Sequence, residues 1–324
     1  MNMAKYYIGI DGGGSKTKFL CFDRNGRECG EAATIGTYHA QDGIDAVLER
    51  LKDGFSQCLP EETTDVLIGF GMPAYGENRE LDTLAAAKIR ETFSPMPVYI
   101  DNDSAIGWAG SLAMKPGISV VAGTGSIAYG RDAAGKTERC GGWHEFFSDE
   151  GSGYWLGKQL LQLFSQQSDG RLEKTALYEL VRSELSLQDD FDIISLTNQH
   201  YATSRKDTAA LQRILLEAAR MGDPHALACY NRASEELSKL IVTVLNKLDF
   251  PEGEKVPVSY QGGLFSIPDL ICNPVAQKVS TAAFPREIDF HRPKLDPCRG
   301  AVLLAMAERE PENLETMRIN FSQG

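Results

Sequence analysis

Long hydrophobic runs are missing from this sequence of 324 residues. No stretch approaches the roughly 20 apolar residues that cross a bilayer. Paired cysteine motifs are missing too. The seven cysteines, Cys21, Cys29, Cys58, Cys140, Cys229, Cys272 and Cys298, form no C-x-x-C, are odd in number and are irregularly spaced. With only five scattered histidines beside them, that excludes a zinc ligand set and predicts free thiols in the reducing cytoplasm. The opening MNMAKYYIGI lacks the basic region, apolar stretch and cleavage site of a secretion signal. Basic residues are in deficit, 33 Lys+Arg against 45 Asp+Glu, for a formal net charge of -12. That sign opposes nucleic acid and anionic membrane, so neither is expected as a partner. It does not oppose nucleotide, because backbone N–H groups and Mg2+ hold phosphate without a basic fold.

What is present is ordinary globular composition, 42% hydrophobic and 24% charged, in a chain longer than one core usually serves. Tyr6 to Ile10 reads as a buried strand, Asp11-Gly12-Gly13-Gly14-Ser15-Lys16 as a tight turn and Thr17 to Phe22 as a returning strand. Asn25-Gly26 then marks a hairpin into a third strand. Helical periodicity over Ile44 to Phe55 precedes a strand (Val66 to Phe70), a helix (about Glu80 to Thr92), a strand (Val98 to Ile100) and a helix from Asp103. Near residue 118 the pattern restarts: strand Ile118 to Val121, small-residue turn Ala122-Gly123-Thr124-Gly125-Ser126, strand Ile127 to Tyr129. Helices dominate from Tyr154 to Leu248, Val256 to Tyr260 is a strand, and Asp296 to Glu310 is a closing helix. Two strand–turn–strand units predict two related α/β lobes: residues 1–117, residues 118–295, and a C-terminal segment, 296–324, returning to the first.

Four segments carry chemistry. In the first glycine turn, backbone N–H groups can face phosphate oxygens, and Asp11 at the strand's end can hold Mg2+ through water. A hairpin that merely needs positive φ is the competing reading. The second turn, Ala122 to Ser126, is weak alone, but with the first it makes a phosphate clamp. Asp101-Asn102-Asp103-Ser104 puts carboxylates at a strand end, where a hydroxyl can lose its proton. Taken alone, a simple N-cap by Asp103 or Ser104, worth about 1 kcal/mol, explains it better. Gly141 to Gly153 offers Trp143 to stack on a sugar ring and Asp149 to accept from its hydroxyls, with a loop capped by Asp149 as the alternative. A fifth segment, Gly130 to Thr137, fits G-x-x-x-x-G-K-[ST]. That motif needs a helix after it, and Gly141-Gly142 follow too soon, so a polar hairpin tip is expected instead.

In order and spacing, IDGGGSKT, DNDSAIG, AGTGS, GGWHEFFSDEGSGYWLG and QGG resemble the N-acetylglucosamine kinases of the BadF/BadG/BcrA/BcrD-type ATPase family, within the sugar kinase, actin and chaperone superfold. The resemblance implies two-lobed, actin-like (ribonuclease H-like) ATPase domains with ATP and sugar in the interdomain cleft. It implies ATP and Mg2+ as cofactors and phosphorylation of an amino sugar, N-acetylglucosamine to its 6-phosphate first. It assigns Asp11, Gly13, Gly14, Ser15, Thr17, Thr124 and Gly125 to the phosphates, and Gly262 and Gly263 to the adenosine. Asp103 becomes the base, and Gly142, Trp143 and Asp149 sugar contacts. Two departures fall at the sugar. Gly36-Thr37-Tyr38-His39 stands where the family commonly offers an Asn, which makes Tyr38 and His39 substrate contacts here. Trp143-His144 to Ser148-Asp149 also replaces two glycines. Glucosamine and N-acetylmuramic acid are therefore rival substrates, and nothing in the sequence sets the oligomeric state, so a homodimer is allowed. An ATP-driven activator of an iron–sulfur acyl-CoA reductase or dehydratase is the alternative. It needs cysteines near the Asn-Asp turn, where this chain has Ser104-Ala105. A sugar-sensing regulator would carry an N-terminal helix-turn-helix, which does not fit before Tyr6.

Overall fold

The computed structural model describes residues 3–323; Met1 and Asn2, at the head of the run read above for a secretion signal, and Gly324 lie outside the described residues. The chain forms two compact units, one made of the residues up to Pro116 and those from Arg292 on, the other of Gly117–His291.

The first unit opens with β1 (Tyr6–Asp11), β2 (Lys16–Asp23) and β3 (Glu28–Ile35), followed by α1 (His39–Asp42) and α2 (Ile44–Cys58). Then come β4 (Val66–Met72), α3 (Arg79–Phe93), β5 (Val98–Asn102) and α4 (Asp103–Ser111). The strand order is β3-β2-β1-β4-β5. The hairpin pairs are antiparallel, and the pairs reached through helices are parallel. Gly26, at φ 75°, makes the hairpin turn that Asn25-Gly26 predicts. Alternation along β1 sends Ile8 and Ile10 to the face covered by Val47 and Leu51 of α2 and Ala85 and Ile89 of α3.

The second unit has β6 (Gly117–Ala122), β7 (Ser126–Arg131), β8 (Thr137–Gly141), α5 (Gly153–Ser168), α6 (Ala176–Glu184) and α7 (Asp192–Leu196). It continues with α8 (Arg205–Ala210), α9 (Gln212–Arg220), α10 (Pro224–Lys247), β9 (Val256–Gln261), α11 (Asn273–Ala283) and β10 (Ile288–His291). Its order is β10-β9-β6-β7-β8, again with an antiparallel hairpin set beside a parallel pair. Strand for strand, β6, β7, β8, β9 and β10 repeat β1 to β5. The duplication expected from two strand–turn–strand units is therefore present as identical sheet topology. The segment resembling a P-loop is the β7–β8 hairpin. Asp132 closes it by accepting from Lys136 N–H at 3.0 Å, and Thr137 begins a strand instead of a helix. No phosphate-facing helix exists there.

The chain then returns to the first unit as α12 (Pro297–Arg309) and α13 (Leu314–Gln323). Cys298, Val302 and Met306 of α12, with Met317 and Phe321 of α13, cover Tyr7, Leu20, Phe22 and Leu67 on the sheet's other face. Approach is close because the sheet has glycine where the helix crosses. A Cβ at Gly9 would lie 1.9 Å from the Cys298 carbonyl oxygen, and one at Gly69 2.1 Å from that of Ala301.

Candidate active site

In the first unit β1 delivers Asp11 to its carboxyl end, where open α/β sheets bind ligands. Asp11 pairs in register with Gly71 of β4, and Gly71 with Asp101 of β5. None of Gly12, Gly13 and Gly14 has positive φ, so the hairpin that merely needs a left-handed residue is not what this turn is. Gly12 and Gly13 are required by proximity: added Cβ atoms would lie 2.5 Å from the Gly71 carbonyl oxygen and 2.8 Å from that of Lys16. Gly14 meets nothing within 4 Å, and Gly14 and Ser15 are exposed, leaving their backbone open to a ligand. Thr17 is fully buried, its hydroxyl 2.9 Å from that of Thr37. It therefore ties the turn to the segment after β3 and does not present its side chain to solvent.

That segment wraps the turn. Thr37 N–H donates to the Gly13 carbonyl at 3.0 Å, and a Cβ on Gly36 would lie 2.2 Å from the Gly14 carbonyl oxygen. Tyr38 and His39, the residues expected at the sugar, are thus carried on the segment that wraps the first glycine turn. His39 is buried, with Nε2 2.9 Å from Asp82 Oδ1, and its Nδ1 is buried with no hydrogen-bond partner. Asp82 also accepts from Gly76 and Asn78 N–H groups, fixing the ring. Tyr38 is half-buried at the start of α1.

Asp103 opens α4, but it does not cap it. Asn102 does, its side-chain oxygen accepting from Ser104 N–H at 2.9 Å while its amide donates to the Tyr75 carbonyl at 2.8 Å. The capping explanation of Asp103 therefore fails, since the neighbouring residue satisfies the helix end. Asp101 is engaged as well, accepting from the Tyr99 hydroxyl and from Asn102 N–H, each at 2.7 Å. Burial, then the carboxylates of Asp103 and Asp296, push Asp11 up from 3.8 to about 7, with Lys18 opposing. Asp296, which sequence reasoning used only to start the last helix, is the N-cap of α12 and pairs with Arg299. Two carboxylates of the same unit thus act on Asp11.

In the second unit the turn after β6 exposes Thr124, and the loop that follows β8 pins this turn at four points. Gly153 N–H donates to Gly123 and Tyr154 N–H to Thr124, at 2.8 and 3.1 Å. Ser126 N–H donates to Asp149 Oδ1 at 3.1 Å, and the Ser126 hydroxyl to the Glu150 carbonyl at 2.8 Å. Asp149 is buried, stands at φ 65°, and pairs through its other oxygen with Arg205 at the start of α8. Arg205 lies so near the turn that a Cβ on Gly125 would sit 2.4 Å from its Nη2. Asp149 therefore ties the Ala122–Ser126 turn to Arg205. Arg205 was not legible, because 56 residues separate the pair and no motif marks it. On the same loop Gly142 has φ 63°, and Trp143 is 73% exposed. His144 accepts from Phe146 N–H and stacks on Phe147, an internal loop contact. Gly262, at φ 100°, and Gly263 follow β9, and a Cβ on Gly262 would lie 2.3 Å from the Ala122 carbonyl oxygen. The residues expected at adenosine thus abut the second glycine turn.

Comparison with known proteins bears on the family and the fold. The BadF/BadG/BcrA/BcrD ATPase family matches over residues 8–305. An N-acetyl-D-glucosamine kinase of Dictyostelium discoideum is 29% identical over 318 residues, 94% of this chain and 98% of that protein. An N-acetylmuramic acid/N-acetylglucosamine kinase of Clostridium acetobutylicum is 29% identical over 311 residues, 94% of this chain and 99% of that one. A solved structure from Chromobacterium violaceum, provisionally named an N-acetylglucosamine kinase, has a TM-score of 0.73 at 26% identity, covering 94% of this chain and all of its own. The two-sheet α/β architecture is that of the sugar kinases and their actin-like ATPase fold. Among the described residues no helix is long and apolar enough to cross a membrane.

Proposed function

We propose that this chain, which belongs to the BadF/BadG/BcrA/BcrD ATPase family, is a kinase that transfers the γ-phosphoryl group of ATP to an amino sugar. N-acetylglucosamine, giving its 6-phosphate, is the first substrate, with glucosamine and N-acetylmuramic acid as variants, in the cytoplasm. The observation that carries the reading is Asp103. It is a carboxylate at a strand end, relieved of capping by Asn102 and on the same unit as the Asp11 turn. Phosphoryl transfer asks a protein chiefly to position groups and neutralise charge. Asp103 orients the sugar hydroxyl and takes its proton late, as the bond to phosphorus forms.

On the first unit the open backbone at Gly14 and Ser15 would bind phosphate oxygens; on the second, Thr124 and Gly125 would do the same, with Gly262-Gly263 for the adenosine. Trp143 supplies an apolar face for the sugar ring, Gly142 the turn that presents it, and Tyr38 and His39 the contacts near the substituent on the sugar. Asp149 serves the sugar through the loop it anchors. Asp11, at the end of β1, would hold Mg2+ through water, and the ion would neutralise charge on the transferring phosphoryl group. A coupled ADP-release screen over hexoses, amino sugars and N-acetylated sugars tests the reading. Sugar-dependent release, strongest for amino sugars, is expected. Release that no sugar stimulates would leave an ATPase, and the kinase assignment would fall.

A further inference from the structure

Three thiols that the sequence keeps apart meet on the first unit. Cys21 lies on β2, Cys29 on β3 and Cys58 at the end of α2; Cys29 is exposed and the other two are buried. The β2–β3 pairing matches Cys21 with Gly30 and then Phe22 with Glu28, so Cys29 is the extra residue of a bulge. Its sulfur lies 3.5 Å from that of Cys21. Cys21 is also hydrogen-bonded to Cys58, and that bond together with burial pushes its thiol well up. Cys58 Sγ in turn donates to the Gly30 carbonyl at 3.4 Å. The three elements meet without slack, since a Cβ at Gly30 would lie 1.9 Å from the Cys58 carbonyl oxygen. Nothing in the phosphoryl-transfer reading uses these side chains. Among the described residues no group of three or more His, Cys, Asp or Glu is arranged to hold a metal ion, so the chemistry left to this cluster is that of sulfur itself.

We propose that Cys21, Cys29 and Cys58 form an oxidation site, in which the exposed Cys29 reacts with a hydroperoxide and Cys21 resolves it to an intramolecular disulfide. The Cys29 thiolate attacks the terminal peroxide oxygen; the O–O bond breaks, and the remainder of the peroxide leaves as water or an alcohol. Cys29 is then a sulfenic acid. The Cys21 sulfur displaces its hydroxyl, which leaves as water with the Cys21 proton, and the S–S bond forms. Two thiols are oxidised by two electrons, and the hydroperoxide is reduced by the same two. Bond formation closes the sulfur–sulfur gap from 3.5 Å to about 2.05 Å.

Cys58, already in contact with Cys21, can attack that disulfide and take its place, returning Cys29 to the thiol state at the surface. A small external thiol reverses the modification through the same exposed sulfur. Burial pushes the Cys29 thiol up, with Asp23, Cys58 and Glu28 adding to it and the Cys21 contact opposing. Its thiolate is therefore scarce at neutral pH, and the reaction is slow enough to need excess peroxide.

The test is independent of which sugar the chain phosphorylates. Folded protein is treated with excess hydrogen peroxide, remaining thiols are alkylated, and trypsin is added. Lys18, Arg24, Arg27 and Lys52 place Cys21, Cys29 and Cys58 in three different tryptic peptides. Because trypsin also cuts after Arg50, the expected product is a disulfide joining peptide 19–24 to peptide 28–50, with some 19–24 joined to the Cys58 peptide. Reductant removes both, and protein unfolded in urea loses the preference. Cys29→Ser, at an exposed position, should keep the fold and lose the linked pair. Cys29 driven to sulfinic acid without any link to Cys21 would overturn the proposal. So would links to Cys140 or Cys272 as abundant as those within the trio.

Discussion

Asp103 and Asn102 divide between them what a single residue was expected to do. Because Asn102 caps α4, Asp103→Asn should leave stability unchanged and lower kcat by about 10²–10⁴-fold, the usual contribution of a positioned acid–base group. Steady-state kinetics beside a thermal melt separates the two, and an unchanged kcat would make Asp103 a bystander. Asp11 gives a second test through pH. Its pKa is raised from 3.8 to about 7, so the folded state holds a proton that the unfolded chain has released. Stability without nucleotide should therefore fall as pH rises from about 4 to about 7 and then level off, by at most roughly 4 kcal/mol at about 1.4 kcal/mol per unit. Asp11→Asn should flatten that slope in urea titrations; an unaltered slope would place its origin elsewhere. Arg205 gives a third. Removing it leaves the buried Asp149 carboxylate unpaired, which in a fully buried pair costs about 3–5 kcal/mol and should cost less here because Arg205 is 42% exposed. Arg205→Ala and Asp149→Asn should be clearly non-additive in a double-mutant cycle. Simple addition would mean that the pair is not coupled.

At the scale of elements, glycine does two different jobs, and the sequence shows where glycines are without showing which job each does. Gly9 and Gly69 sit where α12 crosses the sheet, whereas Gly14 meets no neighbour. Gly9→Ala should destabilise by more than the usual ~1–3 kcal/mol of overpacking, because a backbone carbonyl and not a flexible side chain stands in the way. Gly14→Ala should fold like the parent and weaken nucleotide binding. Urea midpoints and nucleotide titrations of the two variants would expose the contrast, and a nucleotide affinity unaltered in Gly14→Ala would remove that turn from the phosphates. Much at this scale was readable: apolar runs and the glycine turns place β1, β2, β4, β6 and β7, Asn25-Gly26 places the hairpin, and paired glycines rule out a helix after Lys136. What escaped depends on register and tertiary distance. The bulge that brings Cys29 to Cys21 is a one-residue slip in pairing, and the contact of Arg205 with Asp149 joins a helix start to a loop far away in sequence.

For the whole molecule, the first unit is discontinuous and the second is one uninterrupted stretch. The repeated sheet order makes each unit a complete sheet, but one face of the first is covered largely by α12 and α13, which follow the second. A chain ending at His291 should therefore keep Gly117–His291 folded while the first unit loses the cover of Tyr7, Leu20 and Phe22. Hydrogen exchange would read this as protection retained in β6 and β9 and lost in β1 and β4. Equal protection in both sets would show that α12 and α13 are dispensable.

The same discontinuity orders events during synthesis. A ribosome delivers β1 early, but the helix that fits the groove at Gly9 and Gly69 emerges almost last. The nascent first sheet must wait with one apolar face uncovered while the entire second unit is made and can fold. Asp296, whose carboxylate acts on Asp11, therefore joins the unit only near the end of translation. A truncated or stalled product would hold the Asp11 turn and Asp103 without the helix that packs against their sheet. Such a product is both inactive and adhesive, a natural target for chaperones that shield exposed apolar sheet until the missing helix arrives.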